Sequence, residues 1–315
     1  MKKISKIYVA GHRGLVGAAL MKKLQNEGFN NIICRTHDEL DLTRQEAVEA
    51  FFKKEKPEYV FLAAAKVGGI WGNNSFPAEF IYSNLTIQNN IIHASYINNV
   101  KKLLFLGSSC IYPKHCPQPM KEEYLLSGHL EPTNEPYAIA KIAGIKMCQS
   151  YNRQYGTNYI SVMPTNLYGP NDNFDMETSH VLPALIRKFH LAKLAAQGHR
   201  DDIQKDEKIF GPVPDEIKES LGINPSTNKP LSQSTIQPKV VLWGTGKDLT
   251  IKELAETVDR VTGFDGDIQF DTSKPDGTQV KRLYVSRLND LGWQSKIELE
   301  KGIKETYDWY ISSIP

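Results

Sequence analysis

A chain of 315 residues, 40% apolar and with a formal net charge of only +2, has the apolar mass for a packed core and no overall field to draw it onto nucleic acid or an acidic membrane. The four cysteines, Cys34, Cys110, Cys116 and Cys148, lack both CxxC and metal-ligand spacing, which argues against a disulfide framework or a bound metal and for reduced thiols. The apolar run at 7–10 is too short for a secretory leader and no stretch approaches the roughly 18 apolar residues of a membrane span, so a cytoplasmic protein is expected.

Strand-like runs at 6–10, 31–35, 59–63, 102–107 and 159–164 alternate with helical patterns at 15–27, 43–54, 77–98 and 136–155. That alternation predicts an α/β fold, a Rossmann-type doubly wound parallel sheet. The second half is less regular. A helix is expected at 180–196, followed at 197–238 by an insertion rich in charge, Pro, Ser and Asn, with a short helix at 215–221. A strand at 240–243, a helix at 251–262, a strand near 267–270 and a helix at 299–311 complete a smaller C-terminal α/β lobe. The division is placed between 175 and 176.

The segment GHRGLVG (11–17) follows the first strand directly. Gly11, Gly14 and Gly17 suit a turn whose backbone approaches a pyrophosphate, with Leu15 and Val16 opening a helix whose free N–H groups face the anion. An NAD site places an acid at the end of the second strand; here Arg35 stands there, and Arg13 lies within the glycine turn. Two cations favour a 2′-phosphate, hence NADP(H) bound by residues 1–175, with Asp41 and Leu42 expected against the adenine.

Tyr137 and Lys141 are spaced i, i+4 and share one helix face. An ammonium beside a phenol is expected to lower the phenol's pKa and make it a proton donor near neutrality. Ser108 closes the fourth strand, where its hydroxyl can meet a substrate carbonyl. The competing reading of Tyr137 and Lys141 is a surface pair, that of Arg35 a solvated charge, and that of Cys110 a small buried hydrophobe.

GHRGLVG, AAAKVGGI (63–70), GSSCIYP (107–113), EPTNEPYAIAKIAGIK (131–146), YNRQYG (151–156) and PTNLYGPNDNF (164–174) resemble the GDP-L-fucose synthases, a branch of the extended short-chain dehydrogenase/reductase family; TIKELAETV (250–258) and SKPDGT (273–278) continue the likeness. The resemblance implies NADPH-dependent 3,5-epimerisation and 4-reduction of GDP-4-keto-6-deoxy-D-mannose. It makes Ser108, Tyr137 and Lys141 the reduction triad and Cys110 with His180 the acid/base pair of epimerisation. Lys141, Asn166, Leu167 and His180 are expected at the cofactor, and Ser108, Asn166, Lys188 and Trp243 at the GDP-sugar. It further implies a homodimer joined through the helices at 77–98 and 136–155.

Two departures stand out. After WGTG (243–246) the related sequences continue with a further strand and helix, whereas Lys247 here leads straight into TIKEL, an apparent deletion near 246; and Tyr284 occupies a position usually held by Asp. Two alternatives therefore stand beside the synthase: another nucleotide-sugar epimerase or reductase, and a truncated NADP-binding copy with little or no activity.

Overall fold

The computed structural model describes residues 1–223, 241–242, 248–268 and 282–315. The chain divides into two compact units. The first comprises Met1–Val67, Asn73–His115 and Leu125–Pro164. Along it run β1 (Ile7–Ala10), α1 (Leu15–Asn26), β2 (Ile32–Ile33), α2 (Gln45–Glu55) and β3 (Tyr59–Leu62). The division passes through α3 (Ile70–Ser75), and α4 (Pro77–Ile97), β4 (Lys102–Leu106), α5 (Glu135–Tyr155) and β5 (Tyr159–Val162) follow.

The strands form one parallel sheet in the order β2-β1-β3-β4-β5. All four residues of β1 are buried, the unbroken apolar pattern of an inner parallel strand. The expected doubly wound fold is borne out. The order reverses between β1 and β3, and a crevice for ligands opens at such a point beyond the strands' carboxyl ends. Right-handed crossovers place α2, α4 and α5 on one face and α1 on the other. Tyr8 of β1 meets Phe51 and Phe52 of α2 with ring centroids 4.7 and 5.8 Å apart. Pro77 opens α4, and Gly156, at φ 66°, ends α5 in the left-handed conformation. The buried Gln88 of α4 donates from Nε2 to the Ala140 carbonyl of α5 at 2.6 Å, locking the two long helices in register.

The second unit comprises Gly68–Gly72, Cys116–Tyr124 and Thr165–Pro315. It contains α6 (Val181–Ala196), α7 (Arg200–Phe210), α8 (Asp215–Ser220), β6 (Val241–Leu242), β7 (Asp248–Leu249), α9 (Ile251–Thr262), α10 (Ser286–Asp290) and α11 (Leu299–Ser312). A shared apolar core joins α6, α9 and α11 through Leu185, Ile186 and Phe189, Leu254 and Val258, and Ile303 and Tyr310. A capping box starts α9: Thr250 Oγ1 accepts from Glu253 N at 3.1 Å, and Glu253 Oε2 accepts from Thr250 N at 2.6 Å.

Arg187 of α6 is fully buried, and its donors are spent on Asp206 of α7 (Nε to Oδ1, 2.8 Å), on the Phe174 and Phe210 carbonyls (3.1 and 2.8 Å) and on the Gly211 carbonyl. Tyr310 of α11 donates to the other Asp206 oxygen. Removing one partner of such a pair strands a buried charge, at a cost of about 3–5 kcal/mol.

α7 lies where an irregular insertion was expected. Most of its charges face solvent while Ile203 and Asp206 are buried, and the helix is held by ion pairs from Asp206 to Arg187 and from Glu207 to Lys218, a pattern that periodicity does not reveal. β6 and β7 form a two-residue antiparallel pair, and 267–268 are not in a strand. Trp243, the apparent deletion near 246, residues 269–270 and SKPDGT lie outside the described residues.

Candidate active site

The glycine turn sits at the switch point between β1 and β3. Gly11 has φ +81°, and a Cβ there would lie 2.6 Å from the Ala64 nitrogen; a Cβ on Gly17 would lie 1.9 Å from the Gly11 carbonyl oxygen. Both glycines are required by close backbone approach. At Gly14 the nearest atom to an added Cβ is 3.7 Å away, so that side is open, and Gly14 caps α1 with no side-chain hydrogen bond. The first-turn amides of α1, beginning at Leu15 and Val16, therefore have no capping side chain across them. The cradle fits the pyrophosphate of a dinucleotide.

The loop after β3 is held by Asn84 of α4, which accepts from Lys66 N at 3.0 Å and donates to the Lys66 carbonyl at 2.9 Å. The sequence reading missed this clamp, because Asn84 is one of many polar residues along α4 and nothing local marks it out.

Beyond β2, Arg35 is half-buried. Its guanidinium pairs with Glu55 at 3.0 Å, donates to the Cys34 carbonyl at 2.7 Å and lies 5.4 Å from the Phe51 ring centre. It is thus an oriented cation rather than the freely solvated charge of the competing reading. Arg13 is exposed in the glycine turn, and its charge helps to lower the pKa of Glu39 after the larger effect of Thr36 hydrogen bonding. Asp41 is held by Thr43, whose hydroxyl donates to it at 2.7 Å and lowers its pKa, and the Leu42 carbonyl accepts from Asn90 at 2.9 Å.

Four expected residues meet in the first unit. Ser108 follows β4 and caps a short 3₁₀ turn, Ser109–Ile111, by accepting from Cys110 N at 3.2 Å. The turn fixes the half-buried Cys110 two residues from the Ser108 hydroxyl. Tyr137, in the first turn of α5, hydrogen-bonds Ser108, and a charge on Cys110 would reach it. Lys141, one turn later, is 3% exposed; its Nζ donates to the Leu106 carbonyl at 2.9 Å and lies 5.7 Å from the Tyr137 ring centre. The surface-pair reading is excluded.

The expectation of a lowered Tyr137 pKa is corrected. Burial raises it well above the usual phenol value, the Cys110 charge raises it further, and the Ser108 hydrogen bond offsets only part. The ammonium donates to the Leu106 carbonyl and lies over the Phe105 and Tyr137 rings. The same burial lowers Lys141 to about 8.

In the second unit, His180 is the exposed N-cap of α6 and makes no capping bond with its side chain. Lys188 is half-buried two turns along that helix. Asn166 is half-buried and Leu167 exposed in the stretch after β5, where Leu167 N donates to the Thr165 carbonyl at 2.9 Å. Among the described residues, no helix is long and apolar enough to cross a membrane.

A doubly wound sheet with a glycine turn after its first strand and a Ser–Tyr–Lys group beyond its fourth defines a short-chain dehydrogenase/reductase. More narrowly, the chain belongs to the NAD dependent epimerase/dehydratase family, whose sequence model matches residues 7–211. It is 53% identical to GDP-L-fucose synthase 1 of Arabidopsis thaliana, over 99% of this chain and 95% of that one. Among solved structures, it is similar to a GDP-6-OMe-4-keto-L-xylo-heptose reductase from C. jejuni, with a TM-score of 0.88 and 43% identity over 99% of both chains. It is also similar to a GDP-L-fucose synthetase from Naegleria fowleri bound to NADP, with a TM-score of 0.79 and 26% identity over 99% of this chain and 94% of that one.

Proposed function

We propose that the chain converts GDP-4-keto-6-deoxy-D-mannose into GDP-L-fucose, epimerising C3 and C5 and reducing the C4 ketone with NADPH. The observation that carries this is the thiol: Cys110 is held by the Ser108 turn beside Tyr137, in a chain more than half identical to a GDP-L-fucose synthase. Reduction alone needs no thiol at that place.

Protons on carbons beside a ketone are acidic enough for a positioned base, and a thiol with an ordinary pKa of about 8.5 needs little activation to serve. Cys110 takes the proton and His180 returns one on the opposite face. Ser108 and Tyr137 donate hydrogen bonds to the C4 oxygen as enolate charge develops, and Tyr137 then gives that oxygen its proton. The raised phenol pKa keeps Tyr137 protonated and ready to donate. When bound, NADPH supplies the hydride for the reduction. Gly11, Gly14, Leu15, Val16 and Gly17 would hold its pyrophosphate, and Arg13 with Arg35 its 2′-phosphate. Asp41 and Leu42 would meet the adenine, Lys141 the nicotinamide ribose, and Asn166, Leu167 and His180 the nicotinamide side. Asn166, Lys188 and Trp243 are assigned to the GDP-sugar together with Ser108. The functional division is that of residues 1–175 for cofactor and 176–315 for substrate. The enzyme is proposed to be a cytoplasmic homodimer joined along α4 and α5.

A second reading has a specific support: the TM-score of 0.88 is with a reductase of a GDP-4-keto-heptose. The products separate the two. Incubation of GDP-4-keto-6-deoxy-D-mannose with purified protein and NADPH is expected to yield GDP-L-fucose. A product reduced at C4 with C3 and C5 unchanged would establish the plain reductase, and no product would establish an inactive copy.

Lys141 sets a pH limit. Its ammonium is the dominant form below about 8 and is lost as the pH rises through that value. The reduction rate is therefore expected to fall on the alkaline side of about pH 8 while Tyr137 is still protonated. A kcat profile that stays flat well above that pH would remove the Lys141 charge from the mechanism.

A further inference from the structure

A helix start is commonly stabilised by its N-cap side chain, which accepts from the first-turn amides. α6 begins on His180, whose side chain does not do this. The segment before it is held by hydrogen bonds of its own. Asp175 Oδ1 accepts from Glu177 N at 3.2 Å, Thr178 N at 2.9 Å and Thr178 Oγ1 at 2.7 Å. Asp175 N donates to Asn173 Oδ1 at 3.0 Å, and Asn173 Nδ2 donates to Thr178 Oγ1 at 2.9 Å. The Asp175 carbonyl accepts from Ser179 N at 3.0 Å, and the Thr178 carbonyl accepts from Gly69 N at 2.7 Å. Arg187, two turns into α6, holds the Phe174 carbonyl at 3.1 Å.

Residues 173–179 are thus tied together by hydrogen bonds centred on Asp175, and the next residue is His180. We infer that Asp175 is a positioning residue: it fixes the backbone on which His180 stands. The inference rests on the proposed acid role of His180. Asp175 itself touches no substrate.

The test is solvent exchange at the sugar's C3 and C5 in deuterated water, with NADPH affinity and thermal stability measured alongside. Asp175→Ala is expected to slow exchange by about 10–100-fold, the scale set by misplacing a reacting group by an ångström, with a far smaller change in NADPH affinity, which rests mainly on the glycine turn and Arg35. Asp175→Asn keeps an acceptor oxygen and is expected to recover most of the rate. Because Asp175 acts through His180, Asp175→Ala combined with His180→Gln should be no slower than His180→Gln alone. Full exchange in Asp175→Ala, or a double variant slower by the product of the single effects, would overturn the inference, as would a lowered melting temperature with exchange intact. Should Asp175→Ala not fold, Thr178→Val removes one of the three bonds and must slow exchange in the same non-additive way. Unaltered exchange in His180→Gln would instead sink the acid assignment itself, a result distinct from failure of the positioning by Asp175.

Discussion

Tyr137→Phe is expected to lower the reduction rate by on the order of 10³-fold, within the range for loss of a general acid, while NADPH affinity stays nearly unchanged. The phenol oxygen hydrogen-bonds Ser108. The substitution removes one hydroxyl and keeps the ring over which Lys141 lies, so α5 keeps its packing. Burial makes the phenol a weak acid in the free protein; its use as a donor depends on the oxygen that receives the proton becoming more basic still. Single-turnover oxidation of NADPH with substrate measures the step, and fluorescence titration measures affinity. Wild-type turnover in Tyr137→Phe would remove the Ser–Tyr–Lys group from the chemistry.

Cys110→Ser is the second large effect. Serine preserves the size of the side chain and the 3₁₀ turn, whose hydrogen bond runs through the residue's backbone nitrogen. It replaces a thiol by a hydroxyl that does not ionise near neutrality. Exchange of C3 and C5 protons with deuterated water is expected to fall by about 10²–10⁴-fold. Reduction of a substrate already bearing the epimerised C3 and C5 should proceed near the normal rate, because Ser108, Tyr137 and Lys141 are untouched. Exchange at the unmodified rate would show that the thiol is not the base. Loss of both steps together would show that Cys110 shapes the site rather than performing one reaction in it.

What was legible in the sequence follows from range. β1, α1 and the glycine turn are contiguous, and the period change from strand to helix marks them without knowledge of any distant residue. Tyr137 and Lys141 were found by spacing on one helix, and the spacing does place Lys141 under the Tyr137 ring. The direction of the Tyr137 shift was not legible, because it depends on how much of the phenol is buried, a sum over residues far apart in the chain. The Glu55 partner of Arg35 lies 20 positions away, and the Lys66 partner of Asn84 lies 18 positions away. Neither pair has a local signature. α7 was missed for a related reason: its burial depends on Arg187, 19 residues before its partner Asp206.

The interleaving of the two units bears on how the protein can be dissected and how it is made. Residues 68–72 and 116–124 are synthesised amid the first unit but belong to the second. Gly69 meets its acceptor only when Thr178 has emerged from the ribosome, and Met120 pairs with Arg282 and Tyr284, more than 160 residues later. A fragment cut after Pro164 would therefore carry two orphaned excursions, and the second unit cannot be transplanted as a single contiguous cassette. The nascent sheet can form early from its own strands, whereas residues 68–72 must wait for Thr178 and residues 116–124 for Arg282 and Tyr284, nearly the whole chain.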